Sequence, residues 1–319
     1  MRETTEVEDF MIPSGDAGIE LFVRNKRPAD AARLSPERIL LYVHGTTQAA
    51  ETTFDLALDG MSWMDYLAER GWDVYLVDLR GYGRSIRPPE MREPPMAHPP
   101  IVTTEVALRD FGAAVAFVRR RRDVARISIL GWSWGTVIVG AYAARHGAEV
   151  AKLVQFAPVW LRGQRPGDDK TLGAYQSWTF EEARANLQTG APDGKRAGLM
   201  PDSWLKTWRE AALATDPEGA RQSPPVVRTP NGAPHDSRVY WASGKPFYDP
   251  GAITAPTLIV HGEWDGLLPL SMSQAIFARL AKAPKKRLVE IGEGTHGLLL
   301  ERNRLQLFRE VQLFLDETD

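Results

Sequence analysis

Six short apolar runs constrain the fold of this chain more than any other feature of its sequence. Each run is apolar at consecutive positions and ends at Gly, Asp or Pro. Continuous apolarity predicts strands that are covered on both faces, as in a parallel sheet flanked by helices. The runs are RILLYVHG (38–45), WDVYLVDLRG (72–81), RISILGW (126–132), VAKLVQFAP (150–158), APTLIVHG (255–262) and KRLVEIGEG (286–294).

Segments with helical spacing separate most of these runs. The longest is TEVALRDFGAAVAFVRRRR, and Gly71 and Gly147 stand where the C-terminal caps of two others are expected. This alternation predicts right-handed βαβ units and an α/β fold with a mostly parallel central sheet. A hairpin formed by EDFMIPS and GIELFVRN is expected to precede the parallel strands.

One interval breaks the alternation. Residues 159–249 are far too many for a connection between a helix and a strand, which usually takes about 2–6 residues. The interval holds two helix-like pieces, TFEEARANLQ and PDSWLKTWREAALA, and then a stretch rich in Pro, Gly, Asn and Asp. We interpret it as a helical or irregular cap over one edge of the sheet. The predicted organisation is a core domain made of residues 1–158 and 250–319, with a cap at 159–249.

The sequence GWSWG is centred on Ser133 and matches the pattern G-x-S-x-G between a predicted strand and a predicted helix. A nucleophile on such a sharp turn has a strained backbone, and side chains two residues before and after it would collide. Gly131 and Gly135 remove that collision. We therefore predict that Ser133 is a nucleophile whose Oγ projects above the sheet. The alternative is an inert serine in a tight turn.

A serine hydroxyl needs a base, and the base needs a carboxylate that orients it. His296 lies in the glycine-rich segment IGEGTHGLLLER after the last apolar run, and a loop there can reach back to Ser133. Asp265 follows the preceding run in LIVHGEWDGLLP, with Glu263 as its rival in the same turn. We predict Ser133, Asp265 and His296 as the catalytic residues.

Acyl transfer also needs main-chain N–H groups that stabilise the oxyanion, and losing one such donor lowers the rate by about 10²–10³. Two positions fit this role: Trp134, which follows the nucleophile, and Thr46, which follows His-Gly at the end of the first run. We predict that both donate through their backbone nitrogen. His44 is expected to brace this loop and not to carry protons.

Together these motifs resemble the α/β-hydrolase superfamily, in its cap-bearing branch. The shared features are His-Gly after the third strand, the G-x-S-x-G turn, a late Asp, a C-terminal His and the loop VDLRGYGRSIRP. The resemblance covers the predicted core and implies the catalytic and oxyanion roles given above, without a cofactor or metal. Haloalkane dehalogenases and epoxide hydrolases of this superfamily carry Asp where this chain has Ser133, which argues against those two chemistries.

Aromatic and basic residues near the strand ends are candidates for substrate contacts. Trp132, Trp160 and Trp264 suggest an aromatic pocket for apolar or planar acyl groups, with core packing as the alternative. Arg162 and Arg165 could bind a substrate carboxylate, with solvated arginines as the alternative.

Composition excludes several other classes of protein. A net charge of -2 argues against a nucleic-acid binder, and the absence of cysteine excludes disulfides and a cysteine nucleophile. Neither the P-loop pattern nor H-E-x-x-H occurs. No apolar window is long enough for a membrane span, and the N-terminal stretch lacks the apolar region of a secretory signal. We expect a cytoplasmic protein that binds a small molecule and uses no cofactor or metal.

These observations lead to the hypothesis of a serine hydrolase that cleaves small or medium carboxylic esters through an acyl-enzyme. Other hydrolases with the same three residues are alternatives, namely a lactonase, a thioesterase, a C–C bond hydrolase, an iminopeptidase-like peptidase or a perhydrolase. An alternative from another class is a hydrolase-like protein that binds a small ligand with little turnover.

Overall fold

The computed structural model describes residues 5–165 and 168–318, so residues 1–4, 166, 167 and 319 of the predicted core and cap lie outside the described residues. The strands are β1 (Thr5–Pro13), β2 (Glu20–Pro28), β3 (Ile39–Val43), β4 (Asp73–Val77), β5 (Ile127–Trp132), β6 (Val150–Phe156), β7 (Tyr175–Thr179), β8 (Val226–Pro230), β9 (Thr257–Gly262) and β10 (Lys286–Ile291).

Eight of these strands form one sheet in the order β1-β2-β4-β3-β5-β6-β9-β10. The predicted N-terminal hairpin is present, with β1 antiparallel to β2 and β2 antiparallel to β4. All neighbours from β4 to β10 are parallel. The predicted α/β class with a mostly parallel central sheet is therefore confirmed.

The helices are α1 (Trp63–Ala68), α2 (Thr104–Arg122), α3 (Trp134–Arg145), α4 (Phe180–Leu187), α5 (Arg196–Leu199), α6 (Asp202–Ala214), α7 (Pro217–Ala220), α8 (Gly232–Val239), α9 (Leu270–Arg279) and α10 (Arg304–Asp316). Of these, α1, α2, α3, α9 and α10 cover the two faces of this sheet. Successive side chains of a strand point to opposite faces. In β3, accordingly, Leu41 and Val43 pack in the apolar cluster that contains α2, α3 and α9 residues, whereas Leu40 and Tyr42 pack with α1 and α10.

Strand β10 differs from the prediction of a strand covered on both faces. It lies at the edge of the sheet, and of its six residues only Ile291 is buried. An edge strand has one neighbour instead of two, and charged side chains at Lys286, Arg287 and Glu290 suit that position because they discourage pairing with another chain.

The segment between β6 and β9 holds α4 to α8, of which α4 and α6 match the two predicted helix-like pieces, and also an antiparallel pair of strands, β7 and β8. We did not predict this second sheet. Its strands are five residues long and each ends at the start of a helix or at Pro230. Strands this short, paired across an interval of about fifty residues, leave too little local pattern to be recognised.

Within the described residues, no helix combines the length and the apolar character that crossing a membrane requires. Because parallel strands end at the same edge of a sheet, the loops after β3, β5, β9 and β10 meet there. This edge is where ligand sites of open α/β sheets are found.

Candidate active site

Ser133 occupies the single residue between β5 and α3, in a backbone conformation that L-residues rarely adopt. Its φ is 56° and its ψ is -123°, and its side chain does not cap the helix that follows. The flanking glycines allow this turn. A Cβ on Gly131 would lie 2.3 Å from the carbonyl oxygen of Gly135, and a Cβ on Gly135 would lie 2.7 Å from that of Val43. The turn therefore holds Ser133 Oγ clear of the backbone.

The structure brings together the three residues predicted to be catalytic. His296 Nε2 is 2.9 Å from Ser133 Oγ, and His296 Nδ1 is 2.8 Å from Asp265 Oδ2. A proton on Nδ1 donates to the carboxylate and leaves Nε2 free to accept the Ser133 hydroxyl proton. These three side chains can therefore form one continuous hydrogen-bonded relay.

Asp265 is held as an ionised carboxylate. Its burial favours the neutral acid, but His296 and the backbone N–H of Leu268 outweigh that effect and hold the pKa of Asp265 below its ordinary value. Oδ1 accepts from the N–H groups of Leu267 and Leu268 at 3.0 and 2.9 Å, which leaves Oδ2 for the imidazole. The rival in the same turn, Glu263, instead accepts from the N–H of Glu293 at 2.8 Å.

A buried glutamate that the sequence analysis missed holds the loop of His296. Glu301 accepts from the backbone N–H of Thr295 at 3.1 Å and from the Thr295 hydroxyl. Burial raises the pKa of Glu301 to about 7, against the hydrogen bonds from Thr295 and assisted by the charge of Asp265. A carboxylate five residues beyond a predicted base has no local pattern that would single it out.

The loop after β3 lies against the nucleophile. A Cβ on Gly45 would be 3.0 Å from Ser133 Cβ, a tight contact that would displace the nucleophile or the loop by a few tenths of an ångström. No described residue accepts a hydrogen bond from the backbone N–H of Thr46 or of Trp134. Both groups are thus free to bind an oxyanion. Thr46 is held by its carbonyl oxygen, which accepts from Tyr82 Oη at 3.0 Å.

His44 braces this loop from inside the protein. Its Nε2 accepts from the backbone N–H of Leu79 at 3.1 Å, and its Nδ1 is 2.7 Å from the carbonyl oxygen of Gly45. These two partners require the neutral ring with the proton on Nδ1. Burial lowers the pKa of His44 to about 4, which keeps the ring neutral.

A cavity of about 200 Å³ opens beside Ser133 and His296. Two parts of the chain far apart in sequence line it. From the core come Gly45, Thr46, Thr47, Trp132, Trp134, Leu267, Leu268 and Met272, and from the segment between β6 and β9 come Val159, Arg162, Arg165, Asn186, Leu187, Ala233, Pro234, Ser237 and Trp241.

Of the three tryptophans predicted to contact substrate, the structure brings only Trp132 to this cavity. Trp160 is buried in the core and packs edge-on against Tyr248, with ring centroids 5.5 Å apart. Trp264 is half-buried and its backbone lies against Gly190. The prediction for Trp160 and Trp264 is corrected, because closeness to a strand end does not decide which way a side chain turns.

Both arginines considered as carboxylate binders line the cavity. Arg162 forms a two-pronged ion pair with Asp168, at 2.7 and 2.8 Å. Arg165 donates to the carbonyl oxygen of Leu267 at 2.8 Å. In the two described ranges, no group of three or more His, Asp or Glu side chains is arranged to hold a metal ion.

Comparisons with known proteins agree with this architecture. The structure of an esterase from Thermogutta terrifontis, with malate bound, is 18% identical, has a TM-score of 0.61 and covers 97% of this chain and 98% of that one. A bromoperoxidase from Bacillus anthracis is 17% identical, has a TM-score of 0.65 and covers 97% and 100%. A 2-hydroxy-6-oxo-6-phenylhexa-2,4-dienoate hydrolase from Rhodococcus sp. strain RHA1 is 16% identical, with a TM-score of 0.60 over 98% and 100%. At these identities the likeness shows the fold alone.

A family model described as alpha/beta hydrolase fold matches residues 38–303, which is most of the chain. The match includes the turn at Ser133 and the loops of Asp265 and His296. The resemblance drawn from the sequence motifs is thereby confirmed, and the chain belongs to the α/β-hydrolase fold family.

Proposed function

We propose that this protein is a serine hydrolase that cleaves carboxylic esters through an acyl-enzyme intermediate. The observation that carries the proposal is the 2.9 Å distance between His296 Nε2 and Ser133 Oγ, with Asp265 on the other ring nitrogen at 2.8 Å. A nucleophile, a base and an orienting carboxylate in this order perform acyl transfer on several unrelated folds.

In the first half of the reaction, Ser133 Oγ attacks the ester carbonyl carbon and its proton passes to His296 Nε2. Asp265 stabilises the imidazolium that results. The tetrahedral oxyanion binds the free backbone N–H groups of Thr46 and Trp134. When the intermediate collapses, His296 gives its proton to the leaving alkoxide, which departs as the alcohol.

In the second half, water attacks the acyl group on Ser133 and gives one proton to His296. The second tetrahedral intermediate collapses, the carboxylic acid leaves, and His296 returns the proton to Ser133 Oγ. Every proton in this cycle is held by Ser133, His296, water or a leaving group, so these residues need no metal or cofactor for it.

We also propose that residues 159–249 act as a cap that shapes the substrate cavity. Support comes from its lining residues, because α4 supplies Asn186 and Leu187 and α8 supplies Ala233, Pro234 and Ser237. A cavity of about 200 Å³ suits a small acyl group. The proposed partner is therefore a small-molecule ester.

A fluorophosphonate probe and p-nitrophenyl esters test the proposal together. We expect the probe to label the protein, and Ser133→Ala to abolish labelling and lower kcat by about 10⁴-fold or more. Ser203→Ala is the matched control, since Ser203 is exposed on α6. Labelling that persists in Ser133→Ala, or folded wild-type protein that neither labels nor turns over esters, would overturn the assignment and favour a ligand-binding protein.

A further inference from the structure

The charges that line the cavity beside Ser133 are unbalanced. Its lining includes two arginines, Arg162 and Arg165, and no Asp or Glu of the described residues. Two carboxylates pair with residues of this lining: Asp168 with Arg162, and Asp265 with His296. A cavity with basic walls and no acidic side chain favours an anionic ligand.

Arg162 is already committed to partners within the protein. Its Nη1 and Nη2 donate to the two carboxylate oxygens of Asp168, and its Nε and Nη2 donate to Ser237 Oγ at 3.1 and 2.8 Å. Its charge is compensated and its geometry is fixed. Arg162 therefore forms part of the wall and does not supply the free charge.

Arg165 has unused binding capacity. Its guanidinium has five N–H donors, of which one donates to the carbonyl oxygen of Leu267. No carboxylate of the described residues forms an ion pair with it; Asp168 accepts from its backbone N–H instead. Arg165 is exposed, and partial desolvation and the neighbouring charge of Arg162 lower its pKa against the opposing charges of Asp168 and Asp265, so its side chain is accessible to an anion that would favour its charged form.

The hydrogen bond to the Leu267 carbonyl also positions the Arg165 guanidinium relative to Ser133. Leu267 belongs to the turn whose N–H groups hold Asp265, and both Leu267 and Arg165 line the same cavity as Ser133. A planar guanidinium matches the two oxygens of a carboxylate. One small cavity is therefore lined both by the nucleophile and by Arg165, whose guanidinium forms no ion pair with a described residue and can bind a carboxylate.

We propose that the substrates of this site are esters that carry a free carboxylate, such as monoesters of dicarboxylic acids, and that Arg165 binds that carboxylate. This inference rests on the proposed ester hydrolysis and specifies its substrate class. Arg165 is a specificity-determining residue, whereas Ser133, His296 and Asp265 perform the chemistry.

The test compares matched pairs of esters that differ in charge alone. Monomethyl succinate, glutarate and adipate are assayed by methanol release against the corresponding primary-amide methyl esters, which have nearly the same shape and no charge. We expect kcat/KM to favour the anion by at least about 10-fold at one chain length, which is the size of effect that charge-assisted hydrogen bonds supply. Taking the ratio within each pair cancels any general loss of activity.

Arg165→Gln should reduce this ratio to about 1, mainly through KM of the anionic ester, and Arg165→Lys should keep part of it. Arg309→Gln is the matched control, because Arg309 is exposed on α10, and it should leave the ratio unchanged. The inference would be refuted by a ratio near 1 at all three lengths in the wild-type protein, or by a preference that survives in Arg165→Gln. In either case, turnover of the neutral esters would still support the proposed ester hydrolysis.

A binding measurement separates the two proposals further. Calorimetry compares butanoate with butanamide on the wild-type protein and on Arg165→Gln, and it needs no turnover. Selective binding of butanoate that is lost in Arg165→Gln supports the carboxylate receptor even if no ester is cleaved. Equal binding of butanoate by both proteins contradicts it.

Discussion

The indole nitrogen of Trp132 donates a hydrogen bond to the carbonyl oxygen of His296 at 3.1 Å. Their rings lie 5.5 Å apart between centroids. Trp132 is the last residue of β5 and precedes the proposed nucleophile, whereas His296 follows β10. One side chain thus ties the loop of the proposed base to the strand that carries Ser133.

Loss of this hydrogen bond should loosen the alignment of His296. We expect Trp132→Phe to lower kcat about 10-fold, because a net hydrogen bond is worth about 1 kcal/mol and misplacement of a base adds to that. Stacking on Phe156 should preserve the fold. Trp160→Phe is the control, since the Trp160 indole nitrogen has no hydrogen-bond partner among the described residues and Trp160 lies outside the cavity lining. Equal effects of the two variants on ester turnover would contradict the role of Trp132.

The turn at Ser133 should tolerate no side chain at Gly131. A methyl group there would meet the Gly135 carbonyl at 2.3 Å, and backbone cannot rotate away as a side chain can. We expect Gly131→Ala to destabilise the protein by about 3 kcal/mol or more, measured by denaturant unfolding. Gly198→Ala in α5, where a Cβ meets nothing within 4 Å, should show no loss. A fully stable, active Gly131→Ala protein would refute the steric account.

Replacing Asp265 should affect catalysis more than folding. In Asp265→Asn the amide keeps the shape of the carboxylate but cannot hold the required tautomer of His296, so kcat should fall by about 10⁴-fold. Glu263→Gln removes a carboxylate from the same turn and should change kcat little, since Glu263 contacts the Glu293 backbone and not His296. A larger loss in Glu263→Gln than in Asp265→Asn would reassign the acid.

His44 should make the protein sensitive to acid. Its pKa is about 4 in the folded protein, below the ordinary 6.5, so the stability that the neutral ring contributes is complete above pH 6.5. It should be lost as the pH falls from 6.5 to 4, by about 3 kcal/mol in total. We expect the difference in unfolding free energy between wild type and His44→Gln to shrink across this window and to stay constant above it. A difference that does not vary with pH would contradict the assignment.

The ionisation of Glu301 should change the unfolding free energy with pH in the opposite direction to that of His44. Its folded pKa of about 7 lies above the ordinary 4.5, so its contribution is complete below pH 4.5 and is lost as the pH rises through 7. The loss should reach about 3 kcal/mol. Glu301→Gln keeps the partner of Thr295 without an ionisable group, and denaturant unfolding between pH 4.5 and 8 should show this slope in the wild type only. The same slope in both proteins would assign it to another group.

The core and the turn at Ser133 were predictable because their causes are local. Continuous apolar runs predicted the parallel strands, and helical spacing predicted α2 at Thr104–Arg122. The collision that Gly131 avoids is with Gly135 and is a property of five consecutive residues, whereas the one that Gly135 avoids is with Val43 and the loop after β3. Asp265 and His296 were candidates because each follows a predicted strand whose end is expected at the same edge of the sheet.

Other features depended on contacts between segments far apart in the chain. Trp160 and Trp264 follow or adjoin strand ends just as Trp132 does, yet only packing decides that Trp132 faces His296. Likewise Arg162 and Arg165 look alike in sequence, and only the fold places Asp168 and Ser237 around the first guanidinium and gives the second the Leu267 carbonyl as its hydrogen-bond partner among the described residues.

The sequence by itself therefore determined which segments of the core are strands or helices and where a strained serine turn stands, because periodicity and short-range sterics act within a few residues. The tertiary structure alone decided which carboxylate meets His296, that Glu301 holds its loop and which of the two cavity arginines forms an ion pair with Asp168. Those outcomes depend on which surfaces are buried together, and burial is a property of the packed chain.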